Sequence, residues 1–253
     1  MESFWLYPLL LLTGLCAGFV DAIAGGGGLI TIPVLLSLNI SPQDALGTNK
    51  LQATCGSGSA AWHYGRAGLI DLQACRVGIL FTAMGALFGT SLVQLLDPAL
   101  LKQMIPWLLI AIAFYVLLQP KLGAGDLHPR VNPHVFHVSL GLGLGFYDGF
   151  FGPGTGTFWA MAYMLGLGFN MTRATAHTKV MNFTSNLASL FVFVWGNHVL
   201  YGAGLTMGAG QILGARLGSK VVIKQGAQFI RPIFIAAVLA ITLKLLHANF
   251  TKR

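Results

Sequence analysis

Charged side chains are scarce in this chain of 253 residues. Asp, Glu, Lys and Arg together make up 9% of the sequence, and only 7 residues are acidic. A soluble domain usually carries about 25% charged residues, so an ordinary soluble fold is excluded. The mean hydropathy of +0.72 agrees, and the sequence predicts an integral membrane protein.

Segments of alternating polarity are missing as well. A transmembrane β-barrel needs segments of about ten residues in which polar and apolar side chains alternate. Residues 105–118 are instead continuously apolar. Because a helix satisfies its own backbone hydrogen bonds in lipid, we predict an all-α integral membrane protein.

The motifs of metal sites, cofactor sites and common hydrolases are also absent from the sequence. Cys16, Cys55 and Cys75 form no C-x-x-C pair and lack metal-ligand spacing. The glycine run at 25–28 is not followed by the Gly-Lys-Ser/Thr of a phosphate-binding loop. No H-E-x-x-H motif, catalytic carboxylate pair or Ser-His-Asp set is evident. We therefore expect no disulfide, metal or cofactor, and no enzyme.

The net charge of +8 does not indicate a nucleic-acid partner. The 15 Lys and Arg residues are scattered and form no basic run. In a membrane protein such residues mainly mark cytoplasmic loops. The expected partners are membrane lipid, a small anionic substrate and a coupling proton, with a homodimer as one candidate assembly.

What the sequence does contain is a repeated motif. GFVD at 18–21 precedes GGGG at 25–28, and GFYD at 145–148 precedes GPGTG at 152–156. The aspartates that end the two tetrapeptides are 127 positions apart, half of the chain. A duplicated carboxylate and glycine break within apolar sequence is typical of transporters built from two repeats.

Each half contains five apolar elements. They cover roughly 5–23, 28–39, 44–64, 73–95 and 99–119 in the first half, and 136–151, 155–169, 172–196, 199–220 and 229–247 in the second. The second element is too short for an ordinary span of about 20 residues, and it follows a glycine break. Since glycine permits positive φ and proline removes a donor, we expect a helical hairpin or a broken helix at both glycine motifs.

The loop charges predict that the two repeats are inverted. The loop after the third element carries Arg66 and is closed by Arg76, whereas its counterpart at 196–202 has no basic residue. The next loop reverses this bias, with one basic residue at 96–102 and four at 216–231. Equivalent loops with opposite bias should lie on opposite faces of the membrane.

This topology divides the chain into three parts. We predict a first transmembrane repeat at 1–120, a polar linker at 121–134 and a second transmembrane repeat at 135–253. The linker, which carries Lys121 and Arg130, should lie in the cytoplasm. Both termini should then be periplasmic.

Asp21 and Asp148 are the acidic residues of the two repeated motifs. An ionised Asp at the bilayer centre costs at least about 2.5–3.5 kcal/mol, so it usually faces a partner or a watery cavity. Each Asp could cap backbone N–H groups freed at the helix break, or it could exchange protons. His177 could also titrate in a coupling role, or it could be a satisfied structural residue.

Lys50 and Lys179 occupy matching places in the third and eighth elements, preceded by Asn49 and Thr178. An ammonium beside the N-terminus of a broken helix is a natural anion site. The alternatives are a lysine that snorkels to the membrane interface or one that pairs with the Asp of its own half. We predict that these four residues contact the substrate.

Polar stripes directly follow the two lysines, and they could line a cavity or join helices. They consist of Asn182, Thr184, Ser185 and Asn186 in the eighth element and of Gln52, Thr54, Ser57 and Ser59 in the third. Further substrate contacts are expected from the glycine breaks and from the stripe of the eighth element. The candidates are Gly26, Gly27, Gly154, Thr155, Asn182 and Asn186. By contrast, Gly85-x-x-x-Gly89 and Gly210-x-x-x-Gly214 are predicted to be small-residue packing faces between helices.

A family resemblance rests on GFVDAIAGGGGLITIP (18–33), ALGTNKLQA (45–53), GFYDGFFGPGTGTF (145–158), TRATAHTKVMN (172–182) and GQILGARLGS (210–219). With these motifs the chain resembles the TauE/SafE family of exporters of sulfite and organosulfur anions, in particular its YfcA-like branch. The resemblance covers nearly the whole chain. It implies a multi-pass secondary transporter of a bacterial inner membrane.

Three functions are compatible with these sequence features. The favoured one is gradient-driven transport, with export of sulfite or a sulfonate, by rocking of one half against the other around a midplane site. The second is a passive anion channel of the same architecture. The third is a membrane-embedded enzyme or assembly factor that would use residues of one half only, such as His177 and Asn182.

Overall fold

The computed structural model describes residues 5–118 and 128–225, and these ranges contain nine α-helices and no strand. The helices are α1 (Leu6–Ala24), α2 (Gly28–Ser37), α3 (Pro42–Arg66), α4 (Leu72–Gln94), α5 (Pro98–Leu118), α6 (Pro133–Phe150), α7 (Thr155–Leu167), α8 (Met171–Trp195) and α9 (Tyr201–Gln225). The predicted all-α class is confirmed. The tenth predicted element, at 229–247, and residues 121–127 of the predicted linker lie outside the described residues.

Short polar residues fix the beginnings of several helices. Asn132 and Asn170 accept hydrogen bonds from backbone N–H groups of the first turns of α6 and α8. Asp71 does the same for α4, accepting from the N–H groups of Gln73 and Ala74 at 2.9 and 3.1 Å. The hydrogen bond from Ala74 is the main reason that the pKa of Asp71 is lowered.

Each glycine motif forms the tip of a helical hairpin. Leu10 of α1 and Leu35 of α2 lie in one buried cluster, so α2 folds back along α1. Likewise α7 folds back along α6, since the rings of Phe136 and Tyr163 are 5.2 Å apart. We call residues 24–28 the first tip and residues 151–156 the second tip. The predicted hairpin or broken helix is thus a hairpin in both halves.

The first helix of each half packs against the fourth helix of the other half. Gly14 and Gly18 of α1 leave room for the backbone of Met207 and Gln211 of α9. A β-carbon built at Gly214 of α9 would in turn lie 2.1 Å from the backbone oxygen of Leu15. The helices α1 and α9 therefore interlock through small residues and run in the same direction.

The same packing joins α4 to α6. Gly85 and Gly89 lie against the backbone of Leu142 and Phe146, and a β-carbon on Gly89 would be 2.0 Å from the oxygen of Phe146. The predicted small-residue faces are confirmed by these contacts. Each one joins the first half of the chain to the second.

The third helices of the two halves, α3 and α8, cross at the centre in opposite directions. Gly47, near the start of α3, faces Phe193 near the end of α8. Gly58, further along α3, faces Phe183, which lies earlier in α8. This antiparallel contact brings the polar stripes of both helices together.

Two helices in the described part of the chain, Leu6–Ala24 and Leu72–Gln94, are long and apolar enough to cross a membrane. The apolar helix Gly28–Ser37 is shorter. The long helices α3 and α8 carry the buried polar residues described next.

Candidate functional site

The two hairpin tips touch each other. A β-carbon on Gly25 would lie 2.4 Å from the backbone of Gly156, and one on Gly156 would lie 2.5 Å from the Cα of Gly25. Just past the second tip, the hydroxyl of Thr157 donates to the carbonyl oxygen of Ala24 at 2.7 Å. Gly25 has a φ of 76°, which other residues rarely adopt. Glycine is therefore required here both for the turn and for the contact.

Lys50 of α3 holds the second hairpin. Its Nζ lies 2.7 Å from Oδ1 of Asp148, near the end of α6, and also donates to the carbonyl oxygen of Asp148. The other carboxylate oxygen accepts a hydrogen bond from the hydroxyl of Ser185 on α8. The side chains of Lys50 and Asp148 are 1% and 4% exposed, so this ion pair is sealed inside the protein.

Lys179 of α8 holds the first hairpin in the equivalent way. Its Nζ donates to the carbonyl oxygen of Asp21 and lies 3.2 Å from Oδ2 of the same residue. Oδ1 of Asp21 accepts from the N–H of Gly27 at 3.3 Å. Asp21 therefore caps the break in its own half while it pairs with the lysine of the other half.

We call Lys50–Asp148 and Lys179–Asp21 the cross-half pairs. One of the alternatives predicted from the sequence was that each lysine pairs with the Asp of its own half. The structure corrects this, since each lysine binds the hairpin of the opposite half. The reason is the central crossing of α3 and α8, which carries each lysine toward the other hairpin.

The two pairs differ in their exposure. The side chain of Asp21 is 18% exposed, whereas that of Asp148 is 4% exposed. The contact of Asp21 with its lysine is also longer, at 3.2 Å against 2.7 Å. Asp21 is therefore the more accessible and less tightly held of the two carboxylates.

Asn49 lies in a buried polar network beneath the first tip. Its Oδ1 accepts from the hydroxyl of Thr31 at 2.6 Å and from Nε2 of Gln52 at 2.7 Å. Gln211 of α9 donates to Oε1 of Gln52. The network thus connects α2, α3 and α9. In the second half Phe158 and Met181 stand at the positions equivalent to Thr31 and Gln52, so the network is not repeated there among the described residues.

Thr178 and Asn182 contribute buried polar atoms on the opposite side of the tips. Within the described residues, Thr178 Oγ1 and Asn182 Oδ1 have no hydrogen-bond partner. A β-carbon on Gly156 would lie 2.8 Å from Nδ2 of Asn182, which places this amide at the contact between the tips. Asn186 donates to the carbonyl oxygen of Asn182 at 2.7 Å. Asn182 therefore places an amide with an unpartnered oxygen at the contact between the tips, and Thr178 directly precedes Lys179 on α8.

The predicted backbone donors also lie at the tips. Gly26 and Gly27 begin the first turn of α2, and the carbonyl oxygen of Gly27 accepts from Thr31 at 3.2 Å. Gly154 precedes α7 with a φ of 82°, and the hydroxyl of Thr155 donates to the carbonyl oxygen of Gly152 at 2.6 Å. Both short helices thus direct their N-termini, which carry partial positive charge, toward the region where the tips meet.

His177 contacts backbone groups of Arg173 and Asp71. Its Nδ1 donates to the carbonyl oxygen of Arg173 at 2.9 Å, and its Nε2 accepts from the backbone N–H of Asp71 at 3.3 Å. Its ring packs against Phe169 with centroids 4.9 Å apart. In the described part of the chain no hydrogen bond joins His177 to either tip, and both ring nitrogens are satisfied.

The electrostatics of the site are balanced. Each buried ammonium faces one carboxylate, and together the two cross-half pairs carry no net charge when all four groups are ionised. An incoming anion must therefore displace a carboxylate, or find it protonated, before it meets an unpaired ammonium. Among the described residues no group of three or more His, Cys, Asp or Glu is placed to bind a metal ion.

Five residues of this arrangement were not among the predicted site residues, namely Thr31, Gln52, Thr157, Ser185 and Gln211. Ser185 belongs to the polar stripe, but its sequence position does not reveal its contact with Asp148. Thr31 lies within an apolar helix, and Gln211 follows a packing glycine. The sequence does indicate Thr31 and Gln211 as candidates, because each is a polar residue inside an apolar membrane segment.

The sequence matches the family described as Sulfite exporter TauE/SafE over residues 10–245. No solved structure matches the chain.

Individual relatives align over almost their full lengths. A protein of Haemophilus influenzae named "Probable membrane transporter protein" is 46% identical over 242 residues, which cover 96% of this chain and 95% of the relative. "Probable membrane transporter protein ORF9" of Sinorhizobium sp is 45% identical over 244 residues, which cover 96% and 94%. "Probable membrane transporter protein YfcA" of Escherichia coli K12 is 43% identical over 247 residues, which cover 98% and 92%.

Proposed function

The chain belongs to the TauE/SafE family and is a membrane transporter, not an enzyme, and we propose that it is a secondary transporter of a small anion. The proposed substrate class is sulfite or an organosulfur anion such as a sulfonate. The proposed location is a bacterial inner membrane. The family description, Sulfite exporter TauE/SafE, favours this substrate class and export as the direction.

The observation that carries the proposal is the burial of Lys50 and Lys179 at the hairpin tips. Buried charges in membrane proteins are costly and mark the paths of substrates and ions. The two ammonium groups hold the two hairpins whose tips meet, two helix N-termini begin at those tips, and the amide of Asn182 lies at their contact. All of these groups except Asn182 Oδ1 can donate hydrogen bonds, which suits an oxyanion with several acceptor oxygens.

The transport cycle would move one half against the other around this region. The antiparallel crossing of the equivalent helices α3 and α8 supports inverted repeats, because repeats related by an axis along the membrane normal would place them parallel. The reciprocal packing of α1 on α9 and of α6 on α4 supports an exchange between two equivalent states. Cytoplasmic placement of the linker and periplasmic termini stay predictions.

Binding can be tested first with purified protein in detergent. Sulfite, thiosulfate, taurine and sulfoacetate would be added in turn while the melting temperature is measured. A ligand that binds only the folded protein raises the melting temperature increasingly as its concentration exceeds its dissociation constant. Methanesulfonate and methylphosphonate share the methyl group and differ in the oxyanion, so this pair tests for preference for sulfur oxyanions.

Transport can then be tested in proteoliposomes. The proposal expects saturable uptake and counterflow, in which unlabelled anion inside the vesicles accelerates entry of labelled anion. A passive channel would show neither saturation at modest concentration nor counterflow. Absence of both binding and flux for every sulfur oxyanion tested would contradict the proposal.

A further inference from the structure

We infer that Asp21 competes with the substrate anion for Lys179, so that one proton is carried together with each monovalent anion. This inference rests on the proposed function. It assigns different roles to the two cross-half pairs, with Lys179–Asp21 as the exchangeable pair and Lys50–Asp148 as a fixed pair.

The partners of Asp148 explain why its pair is fixed. Lys50 binds one oxygen of its carboxylate, Ser185 donates to the other, and the side chain is 4% exposed. The backbone of Gly152, which has a positive φ, lies close to this pair. A β-carbon on Gly152 would lie 2.9 Å from Oδ1 of Asp148 and 3.0 Å from Nζ of Lys50. An anion has no room to replace this carboxylate.

The partners of Asp21 leave its pair exchangeable. The carboxylate is 18% exposed, and its two contacts among the described residues are long, 3.2 Å to Lys179 and 3.3 Å to the N–H of Gly27. In that part of the chain no side-chain hydroxyl of α3 holds Asp21 as Ser185 of α8 holds Asp148, because the residue of α3 equivalent to Ser185 is Gly56. The exposed part of the Asp21 carboxylate is the place where the proposed exchange of proton and anion would occur.

The surroundings of Asp21 contain no second cation that would replace Lys179. Tyr64 of α3 lies nearby and donates to the carbonyl oxygen of Ala22 at 2.9 Å. The helices packed against α1 are α2, α3, α7, α8 and α9. Their other titratable side chains are Asp44, Lys50, Cys55, His63 and Arg66 of α3, Tyr163 of α7, Arg173 and His177 of α8, and Tyr201, Arg216, Lys220 and Lys224 of α9. None of these forms a hydrogen bond or ion pair with Asp21 in the described part of the chain.

The exchange conserves charge at the site. One proton from water neutralises the Asp21 carboxylate, and the ammonium of Lys179 loses its ionic partner. A monovalent anion then takes the place of that carboxylate, with the N–H of Gly27 and the amide of Asn182 within the same region. The proton and the anion leave together, so the step that moves them adds no net charge.

This coupling refines the proposed direction of transport. A proton gradient directed into the cell would favour entry of the anion. Export would proceed when the outward gradient of the anion exceeds the proton gradient. The sign of net transport is thus set by the two gradients.

The test measures the affinity for a sulfonate as pH changes. A sulfonate keeps one negative charge across roughly pH 5 to 8, so changes in affinity report on the protein. When Asp21 is ionised in the free protein, linkage of one proton predicts that affinity falls about tenfold for each unit of rise in pH. In Asp21→Asn, a neutral side chain permanently frees Lys179, and the affinity should become independent of pH.

Two other carboxylates provide matched controls. Asp44→Asn removes a half-exposed carboxylate that pairs with His198 at 2.8 Å, and it should keep the pH dependence of the wild type. Asp148→Asn should lower the melting temperature but also keep that pH dependence. A pH dependence in Asp21→Asn as steep as in the wild type would overturn the inference.

A second measurement uses the wild type alone and so does not depend on folding of any variant. Proteoliposomes that contain a pH-sensitive dye would report proton movement while labelled sulfonate enters. One proton for each sulfonate is expected, and sulfonate flux without proton movement would overturn the inference. Absence of any sulfonate or sulfite flux would instead contradict the proposed function.

Discussion

The ammonium of Lys50 lies 2.7 Å from the carboxylate of Asp148, although 98 residues and the boundary between the two halves separate them. Lys179 and Asp21 repeat this relationship at 3.2 Å. Each half therefore supplies the cation that holds the hairpin tip of the other. Neither hairpin can move relative to the opposite third helix without disturbing a buried ion pair.

Replacement of Lys50 by methionine should destabilise the protein strongly. It leaves Asp148 buried with no cationic partner, and loss of one member of a buried pair costs about 3–5 kcal/mol. A large fall in melting temperature in detergent is expected. The double variant Lys50→Met/Asp148→Asn removes both charges and should recover much of this loss. A double variant no more stable than Lys50→Met would show that the pair does not dominate the effect.

Substitution of Gly152 by alanine should disrupt the Lys50–Asp148 pair, because the added β-carbon would crowd the carboxylate. Gly152 has a φ of 99°, and its β-carbon would lie 2.9 Å from Asp148 Oδ1. Strained positions of this kind cost about 1–3 kcal/mol, and the melting temperature should fall. Gly143→Ala is the control, since Gly143 is exposed on α6 with open space around its β-carbon. Equal effects of the two substitutions would contradict this explanation.

Removal of the Ser185 hydroxyl should weaken the fixed pair. Ser185→Ala deprives one Asp148 oxygen of its donor, and a hydrogen bond to a charged group contributes about 1.5–3 kcal/mol. The melting temperature should fall, whereas Ser139→Ala on the exposed face of α6 should change it little. If Ser185→Ala and Ser139→Ala melt alike, the hydroxyl of Ser185 does not support the carboxylate.

Substitution of His177 by glutamine separates a structural role from a coupling role. Both ring nitrogens are satisfied by backbone groups of Arg173 and Asp71, so the variant should lose about 0.5–1.5 kcal/mol of stability. The pH dependence of sulfonate affinity should stay that of the wild type. A flattened pH profile in His177→Gln would assign proton coupling to this residue.

Much of the fold could be predicted from the sequence because its signals are local. Apolar stretches and the prolines and glycines between them place the nine described helices within a few residues of their observed bounds. The glycine motifs predict two breaks, because positive φ at Gly25 and Gly152 needs no distant partner. The packing glycines are also visible as short motifs at matching positions in the two halves.

The pairing of the charges could not be predicted in this way. The repeated motifs place one Asp and one Lys in the apolar segments of each half, and this pattern fits pairing within a half as well as between halves. The choice is made by the crossing of α3 with α8, which is a contact between distant parts of the chain. The different exposure of Asp21 and Asp148 likewise depends on Ser185 and on packing around the tips.

Sulfonate counterflow in proteoliposomes with Lys179→Gln tests most directly whether the anion binds at the cross-half pairs. This substitution removes the ammonium of the exchangeable pair, so flux should fall about tenfold or more. Lys102→Gln, at an exposed position on α5, should transport like the wild type. Undiminished counterflow in correctly folded Lys179→Gln would show that the anion does not bind at the cross-half pairs, and would contradict the central claim.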